Sequence, residues 1–378
     1  MRILIINGPN LNLLGTREPE TYGSVSLRSL EREWNQHAAR LRVGIATYQS
    51  NHEGSLIDAI QGASGRFDGI ILNAGAFTHY SYAISDALRA VGLPTVEVHI
   101  SNIYEREEWR HHSVIADASI ATIYGRGTVG YLNAIDLLTA HITMPHEIRH
   151  YGDGVDTLVD VRKANTEGPA PVAIILHGGF WRDAWKRDTM APLSAAITQL
   201  GWSTVNVEYS RGPGSFPQAI DDIADALRWV RDNADAYDFD TRRTVIIGHS
   251  AGGYLALKAA HADASLAGVI ALAPVTSLPA ISEERPDDDP ASMFLGCAQD
   301  DDPALWDSAA LSGEPLVPVH MIHGTHDETV APSHTIDYAR DHPEMATKNM
   351  VEGMDHMGII DPLRDGLDAI YASLAALS

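Results

Sequence analysis

One cysteine, Cys297, stands among 378 residues. A single thiol excludes an internal disulfide framework and a thiolate metal cluster. Long apolar runs are missing too, since none approaches the roughly 18 residues that span a bilayer. Basic residues are scarce: 27 Lys and Arg stand against 50 Asp and Glu, a formal net charge of −23. Nucleic acid and anionic membrane both need a basic surface, so neither is expected as a partner; solubility accounts for the charge. The start shows no apolar h-region or small-residue cleavage site, because Arg2 is followed at once by the strand-like run Ile3 to Ile6. A secretory signal is therefore not expected, and a cytoplasmic location fits. What is present is an ordinary hydrophobic fraction, 45%, in a chain too long for one comfortable core. Two domains are expected.

The pattern of apolar segments supports that division. Strand candidates at 3–6, 43–48, 69–72, 95–98 and 121–124 alternate with helical patterns at 27–40, 56–64, 80–91 and 130–141. Five strands with crossover helices imply a flavodoxin-like parallel sheet, with ligands at the carboxyl ends of its strands. The pattern restarts near Met144, which places the domains at 1–142 and 143–378. Segments 147–151 and 157–162 read as a short antiparallel pair. Six further strands are expected at 172–176, 203–207, 244–247, 268–273, 317–323 and 348–351. The long acidic stretch 277–313 reads as a cap over a site.

In the first domain the polar clusters fall at strand ends. After the first strand comes NGPNLNLLGTREPETYG, with Asn10, and with Arg17 and Tyr22 five positions apart. A neighbouring guanidinium favours the phenolate and lowers the pKa of a tyrosine, so this loop suits proton abstraction. Asn73 and His79 follow the third strand, and Asp86 lies one helical stretch later. Glu97 and His99 end the fourth strand two residues apart, hence on one face. A carboxylate bonded to an imidazole fixes its tautomer and suits it to deliver a proton. Asn102 with Glu105 reads as a capping box, so a helix is expected there, with Arg106 and Arg110 on one of its faces. The free N–H groups of its first turn would suit a carboxylate.

The segments NGPNLNLLGTREPETYG, ILNAGAFTHYSYAISDA and EVHISNIYEREEWRHHS closely resemble type II 3-dehydroquinate dehydratase, and the resemblance covers residues 1 to about 142. It implies reversible dehydration of 3-dehydroquinate to 3-dehydroshikimate through an enolate, without metal, Schiff base or other cofactor. On the matching positions, Tyr22 is the base at C2, with Arg17 lowering its pKa. Asn10 holds the water at the enolate oxygen, and His99, oriented by Glu97, protonates the departing C1 hydroxyl. Asn73, His79, Ser101 and Arg110 bind hydroxyls and carboxylate with the amides near Ile100, and Arg106 is the alternative anion contact. Asp86 reaches a neighbouring subunit's site. The family forms trimers that assemble into dodecamers, so a homo-oligomer is expected.

The second domain carries a different signature. Gly248-His249-Ser250-Ala251-Gly252-Gly253 lies between a strand and a helix, the context of a G-x-S-x-G nucleophile elbow. Upstream, His177-Gly178-Gly179-Phe180-Trp181 follows a strand where an oxyanion hole is built, with Gly178 and Gly179 as donors beside the N–H of Ala251. The triad order Ser, acid, His then points to Asp327 after the strand at 317–323 and His356 after the last strand. Trp181, Trp185 and Tyr209 are candidates for an acyl or aryl pocket. Residues from about 145 to 378 resemble α/β-hydrolases of the carboxylesterase and arylformamidase group through HGGFW and GHSAGG. This implies hydrolysis of an ester or a formamide. Phe180, where related esterases often have a third glycine, leans toward the formamidase side.

The two halves together predict a bifunctional enzyme acting on small molecules. The fusion suggests that the hydrolase releases quinate or shikimate from an ester. The rival expectation makes the first half an oligomeric scaffold that displays the second.

Overall fold

Residues 1–16, 25–362 and 364–378 are described by a computed structural model of the chain. The expected base Tyr22 and its neighbour Arg17 lie outside the described residues. The chain divides into two units, Met1–Thr143 and Met144–Ser378.

In the first unit five parallel strands run in the order β2-β1-β3-β4-β5: β1 Arg2–Asn7, β2 Gly44–Gln49, β3 Gly69–Asn73, β4 Thr95–His99 and β5 Ala121–Tyr124. β3 and β4 are buried along their whole length. That burial on both faces explains why they read as continuous apolar runs rather than alternating ones. Helices α1 Leu27–Arg40, α2 Glu53–Gln61, α3 Tyr82–Val91 and α4 Val129–Thr143 supply the crossovers. The Ser26 hydroxyl caps α1 by accepting the Ser29 N–H, and Leu30, Trp34, His37 and Ala38 form its buried stripe. Their spacing of four, three and one is that of one helical face. The strand order reverses direction between β1 and β3. Chains that leave β1 and β3 there part to opposite sides and open a crevice at the carboxyl edge.

The second unit has an eight-stranded sheet in the order β13-β12-β11-β10-β8-β9-β7-β6. β6 Glu147–His150 and β7 Leu158–Arg162 form an antiparallel pair that joins β9 antiparallel. β8 Ala170–Leu176, β9 Ser203–Val207, β10 Phe239–His249, β11 Gly268–Leu272, β12 Val319–Gly324 and β13 Ala346–Val351 are parallel. The principal helices around the sheet are α5 Ala191–Gln199, α6 Phe216–Asp232, α7 Ala251–Ala262, α8 Leu278–Glu284, α9 Pro290–Leu295, α10 Pro303–Ala309, α11 Ser333–Asp341 and α12 Gly366–Ala376.

The acidic stretch expected to be a cap is the insertion holding α8, α9 and α10. Several of its carboxylates have local work. Asp289 accepts the N–H groups of Ala291 and Ser292 at the start of α9, and Asp302 accepts Leu305 N–H at the start of α10. Short polar side chains at N-caps satisfy backbone donors that a helix leaves open. Phe294 of α9 stacks on Trp181 with ring centroids 4.1 Å apart, which ties the insertion to the loop after β8. Among the described residues no helix is long and apolar enough to cross a membrane.

Candidate functional sites

The first site grows from the ends of β1, β3 and β4. Asn10, Asn73, His79, His99, Ile100, Ser101, Arg106 and Arg110 all line one cavity. Glu97 lies beneath it, fully buried, and accepts from His99 Nε2 at 3.0 Å. The Ser113 hydroxyl donates to the same carboxylate at 2.8 Å and Thr122 of β5 at 3.1 Å. Burial alone would raise this carboxyl. The bond and charge of His99, with the two hydroxyls, outweigh it and hold Glu97 below the usual carboxylate range. Since Glu97 occupies Nε2, the ring nitrogen left for chemistry is Nδ1.

His79 donates from Nδ1 to the His112 carbonyl at 2.9 Å. Burial lowers its pKa, the His112 bond opposes that, and the charges of His99 and Arg110 lower it further. His79 therefore stands in the cavity as a neutral imidazole near neutral pH. Asn10 sits at φ 66, a left-handed conformation that asparagine tolerates, and its N–H is held by Asn51 Oδ1 at 2.9 Å. Asn73 is tethered from behind: its Nδ2 donates to Tyr131 Oη at 2.9 Å, and that phenol donates to Asn7 Oδ1 at 2.6 Å. Burial pushes the Tyr131 phenol up, so it stays a donor.

One expectation here is corrected. No α-helix starts at Asn102. Asn102 does cap, accepting Tyr104 N–H at 3.1 Å, but only single 3₁₀ turns follow, Ile103–Glu105 and Glu108–Arg110. Arg106 between them is extended, at φ −109 and ψ −165, which ends the first turn. The two arginines reach the cavity from separate turns and share Glu107, at 2.8 Å from Arg110 and 3.6 Å from Arg106. With no helix, no dipole-assisted anion site exists at Asn102. Asp86 lies outside this cavity, exposed on α3 and 4.0 Å from Arg89.

The second site gathers at the carboxyl ends of β8, β10, β12 and β13. Ser250 joins β10 to α7 at φ 55 and ψ −116, a strained turn pinned by its N–H to the Leu272 carbonyl at 2.8 Å. Only small neighbours permit it. A Cβ on Gly178 would meet Ser250 Cβ at 2.8 Å, and one on Gly252 would meet the His177 carbonyl oxygen at 2.3 Å. Gly178 therefore runs directly against the serine, and Gly179 follows at φ 113. Ala251 opens α7, so its N–H has no intrahelical acceptor.

Asp327 and His356, 29 positions apart, meet at 2.6 Å between Oδ2 and Nδ1. His323 also approaches the carboxylate, with Nε2 at 3.2 Å, and the N–H groups of Thr329 and Val330 donate to its Oδ1. Burial would raise Asp327. The hydrogen bonds from His323 and His356, the His356 charge and the Val330 amide together hold it well below the usual range.

Several contributors have roles that the motifs did not announce. His249, inside the elbow motif, bonds the His356 carbonyl through Nε2 at 3.0 Å and so fixes the loop of the expected base. Complete burial first, then His356, keeps its pKa well down, so it is neutral. His177 stacks on Tyr209 and is held by fully buried Glu208 at 2.9 Å. Arg187 and Arg211 balance that carboxylate. The aromatic residues expected to line a pocket divide: Trp181 and Tyr209 are fully buried in the core, and Tyr209 donates to the His177 carbonyl. Among the described residues no cluster of three or more His, Cys, Asp or Glu could hold a metal ion.

A family model for class II dehydroquinases matches residues 1–139, and a BD-FAE family model matches 160–341. Catabolic 3-dehydroquinase 1 of Neosartorya fischeri is 55% identical over 134 residues, 35% of this chain and 89% of that protein. The 3-dehydroquinate dehydratase of Bacillus cytotoxicus is 53% identical over 134 residues, 35% of this chain and 92% of its own. A hyperthermophilic esterase from Pyrobaculum calidifontis shares 19% identity and a TM-score of 0.54, covering 65% of this chain and 89% of that one. The likeness to the esterase is one of fold. The second unit shares that fold, whereas through its first unit the chain belongs to the class II dehydroquinases.

Proposed function

We propose that the first unit dehydrates 3-dehydroquinate to 3-dehydroshikimate and that the second hydrolyses an ester or formamide through Ser250. The observation that carries the first reading is the buried Glu97–His99 pair opening into a cavity shared with Asn10, Asn73, His79, Ser101 and Arg110. In this reading Tyr22 removes the C2 proton with Arg17 favouring its phenolate, and Asn10 positions water at the enolate oxygen. His99, held by Glu97, gives a proton to the C1 hydroxyl, which leaves as water. Asn73, His79, Ser101, the Ile100 amide, Arg106 and Arg110 bind the hydroxyls and carboxylate, and Asp86 serves a neighbouring subunit of a trimer-based oligomer.

In the second unit Ser250 Oγ attacks the carbonyl while His356 takes its proton and Asp327 orients the ring. The N–H groups of Gly178, Gly179 and Ala251 receive the oxyanion. The alcohol or amine departs with the proton from His356, and water then releases the acyl group by the same steps in reverse order. The joining of the two units supports quinate or shikimate esters as substrates.

Both readings are tested on one preparation with 3-dehydroquinate, a panel of p-nitrophenyl and quinate esters, and N-formylkynurenine. Tyr22→Phe should abolish enone formation and spare ester turnover, whereas Ser250→Ala should do the opposite, by on the order of 10⁴-fold or more. Dehydration that survives Tyr22→Phe removes that residue as the base. An intact wild-type protein that turns over no dehydroquinate leaves the first unit as a scaffold.

A further inference from the structure

The loop after β8 carries an unusual backbone. Phe180 and Trp181 stand in succession at φ 51 and φ 57, left-handed conformations that are strained for a residue with a Cβ. Trp181 is held there by its stack on Phe294 and by Gly212, whose N–H donates to its carbonyl at 2.8 Å. The outcome at Phe180 is a half-buried ring two residues beyond Gly178, the glycine that runs against the serine.

Arg285, at the end of α8, lays its guanidinium over that ring, Cζ 4.9 Å from the centroid. One of its nitrogens, Nη1, donates to the Thr329 carbonyl at 3.3 Å, two residues beyond Asp327. The cation thus bridges the loop behind the serine and the loop of the acid. Among the described residues it makes no ion pair, although the insertion around it is rich in acids. Of the acids around it, Glu284 feels the Arg285 charge without contacting it, Asp288 pairs with Arg182 at 2.6 Å, and Asp289 caps α9. In a chain of net charge −23, an arginine with no carboxylate in contact, half withdrawn from water, suits an anionic ligand. A guanidinium has five donors, and Thr329 takes one.

We propose that Arg285 recognises a carboxylate on the substrate, so that the hydrolase unit takes esters bearing a free carboxylate. The inference rests on Ser250 being the nucleophile. A planar fork stacked on an aromatic ring presents parallel N–H groups to a carboxylate and discriminates against its neutral form.

The test compares kcat/KM for esters and for their methyl-capped counterparts in the full chain. One arm places the carboxylate on the alcohol side, in an acetylated quinate against its methyl ester. The other places it on the acyl side, in a p-nitrophenyl hemiglutarate against the capped diester. Wild type should prefer the free carboxylate by roughly 10- to 100-fold in one arm, the value of a charge-assisted hydrogen bond, and that arm identifies the side. Arg285→Met, which preserves side-chain length over Phe180, should bring the ratio toward one, and Arg285→Lys should fall between. As a measurement independent of variants, the free hydroxy acid or diacid should inhibit wild type at lower concentration than its methyl ester. A ratio near one for wild type in both arms, or one that Arg285→Met leaves unchanged, overturns the inference while ester turnover itself stands. Turnover that persists in Ser250→Ala overturns the underlying reading instead.

Discussion

Each unit holds a histidine against a buried carboxylate, and the two pairs are assembled in opposite ways. Glu97 and His99 are two residues apart on one strand, and the strand's own period turns them to the same face. Asp327 and His356 are 29 apart, and only the parallel alignment of β12 and β13 brings their loops together. Both carboxylates lie below their usual range for one reason, hydrogen bonds to the charged form that outweigh desolvation. The donors again differ in origin. Glu97 collects hydroxyls from Ser113 and Thr122, whereas Asp327 collects a second imidazole and two amides. The same electrostatic end is reached through local geometry in one unit and through long-range topology in the other.

Amide substitution of each acid would break that comparison most severely. Asp327→Asn leaves His356 in the wrong tautomer and should cost on the order of 10⁴-fold in ester kcat. Glu97→Gln should cost less, about 10²- to 10³-fold in dehydration, because one proton transfer depends on it. Each variant should leave the other unit's activity alone; cross-inhibition in steady-state assays would show that the units are not independent. Next in size, Gly178→Ala should reduce ester kcat about 10²- to 10³-fold, as much as a misplaced oxyanion contact costs, since its new methyl would displace Ser250 from the N–H groups around it.

Acid stability separates the units further. Glu208 titrates at about 2 rather than 4.5: burial would raise it, but His177, Arg211 and Arg187 pull it down. A folded pKa below the unfolded one adds stability above about pH 4.5 that is lost as pH falls toward 2. Denaturant melts between pH 5 and 2 should show the second unit's stability falling with pH. Glu208→Gln should flatten that slope while costing about 3–5 kcal/mol at neutral pH, as one partner of a buried pair is removed. The smallest expected effect is at Tyr131→Phe. It should cost about 1 kcal/mol through the lost bond to Asn7 and raise KM for dehydration a few-fold as Asn73 loses its tether.

Much of the architecture was legible as local pattern. The helix read at 27–40 is α1 residue for residue, and the strand read at 203–207 is β9. The helix expected at Asn102 failed because a capping residue starts a turn without obliging its continuation. Arg106 is extended, and both arginines turn to Glu107. The acidic stretch read as a cap over a site is an insertion of three short helices, and two of its carboxylates, Asp289 and Asp302, serve as helix caps. The roles of Glu208, His249 and His323 were not legible because Glu208 acts on His177 31 residues away and the two histidines bond backbone carbonyls, which leave no side-chain pattern.

What this chain carries in short-range form is its periodicity, its elbow and its spacing of acid and histidine, because strand alternation, helix faces and tight turns are settled over a few residues. Which buried carboxylate holds His177, which carbonyl steadies His356, and which arginine is left without an anion depended on segments tens to more than a hundred residues apart. Those outcomes follow from sheet order and crossover packing, where burial makes an unmatched charge costly and so makes its eventual partner specific.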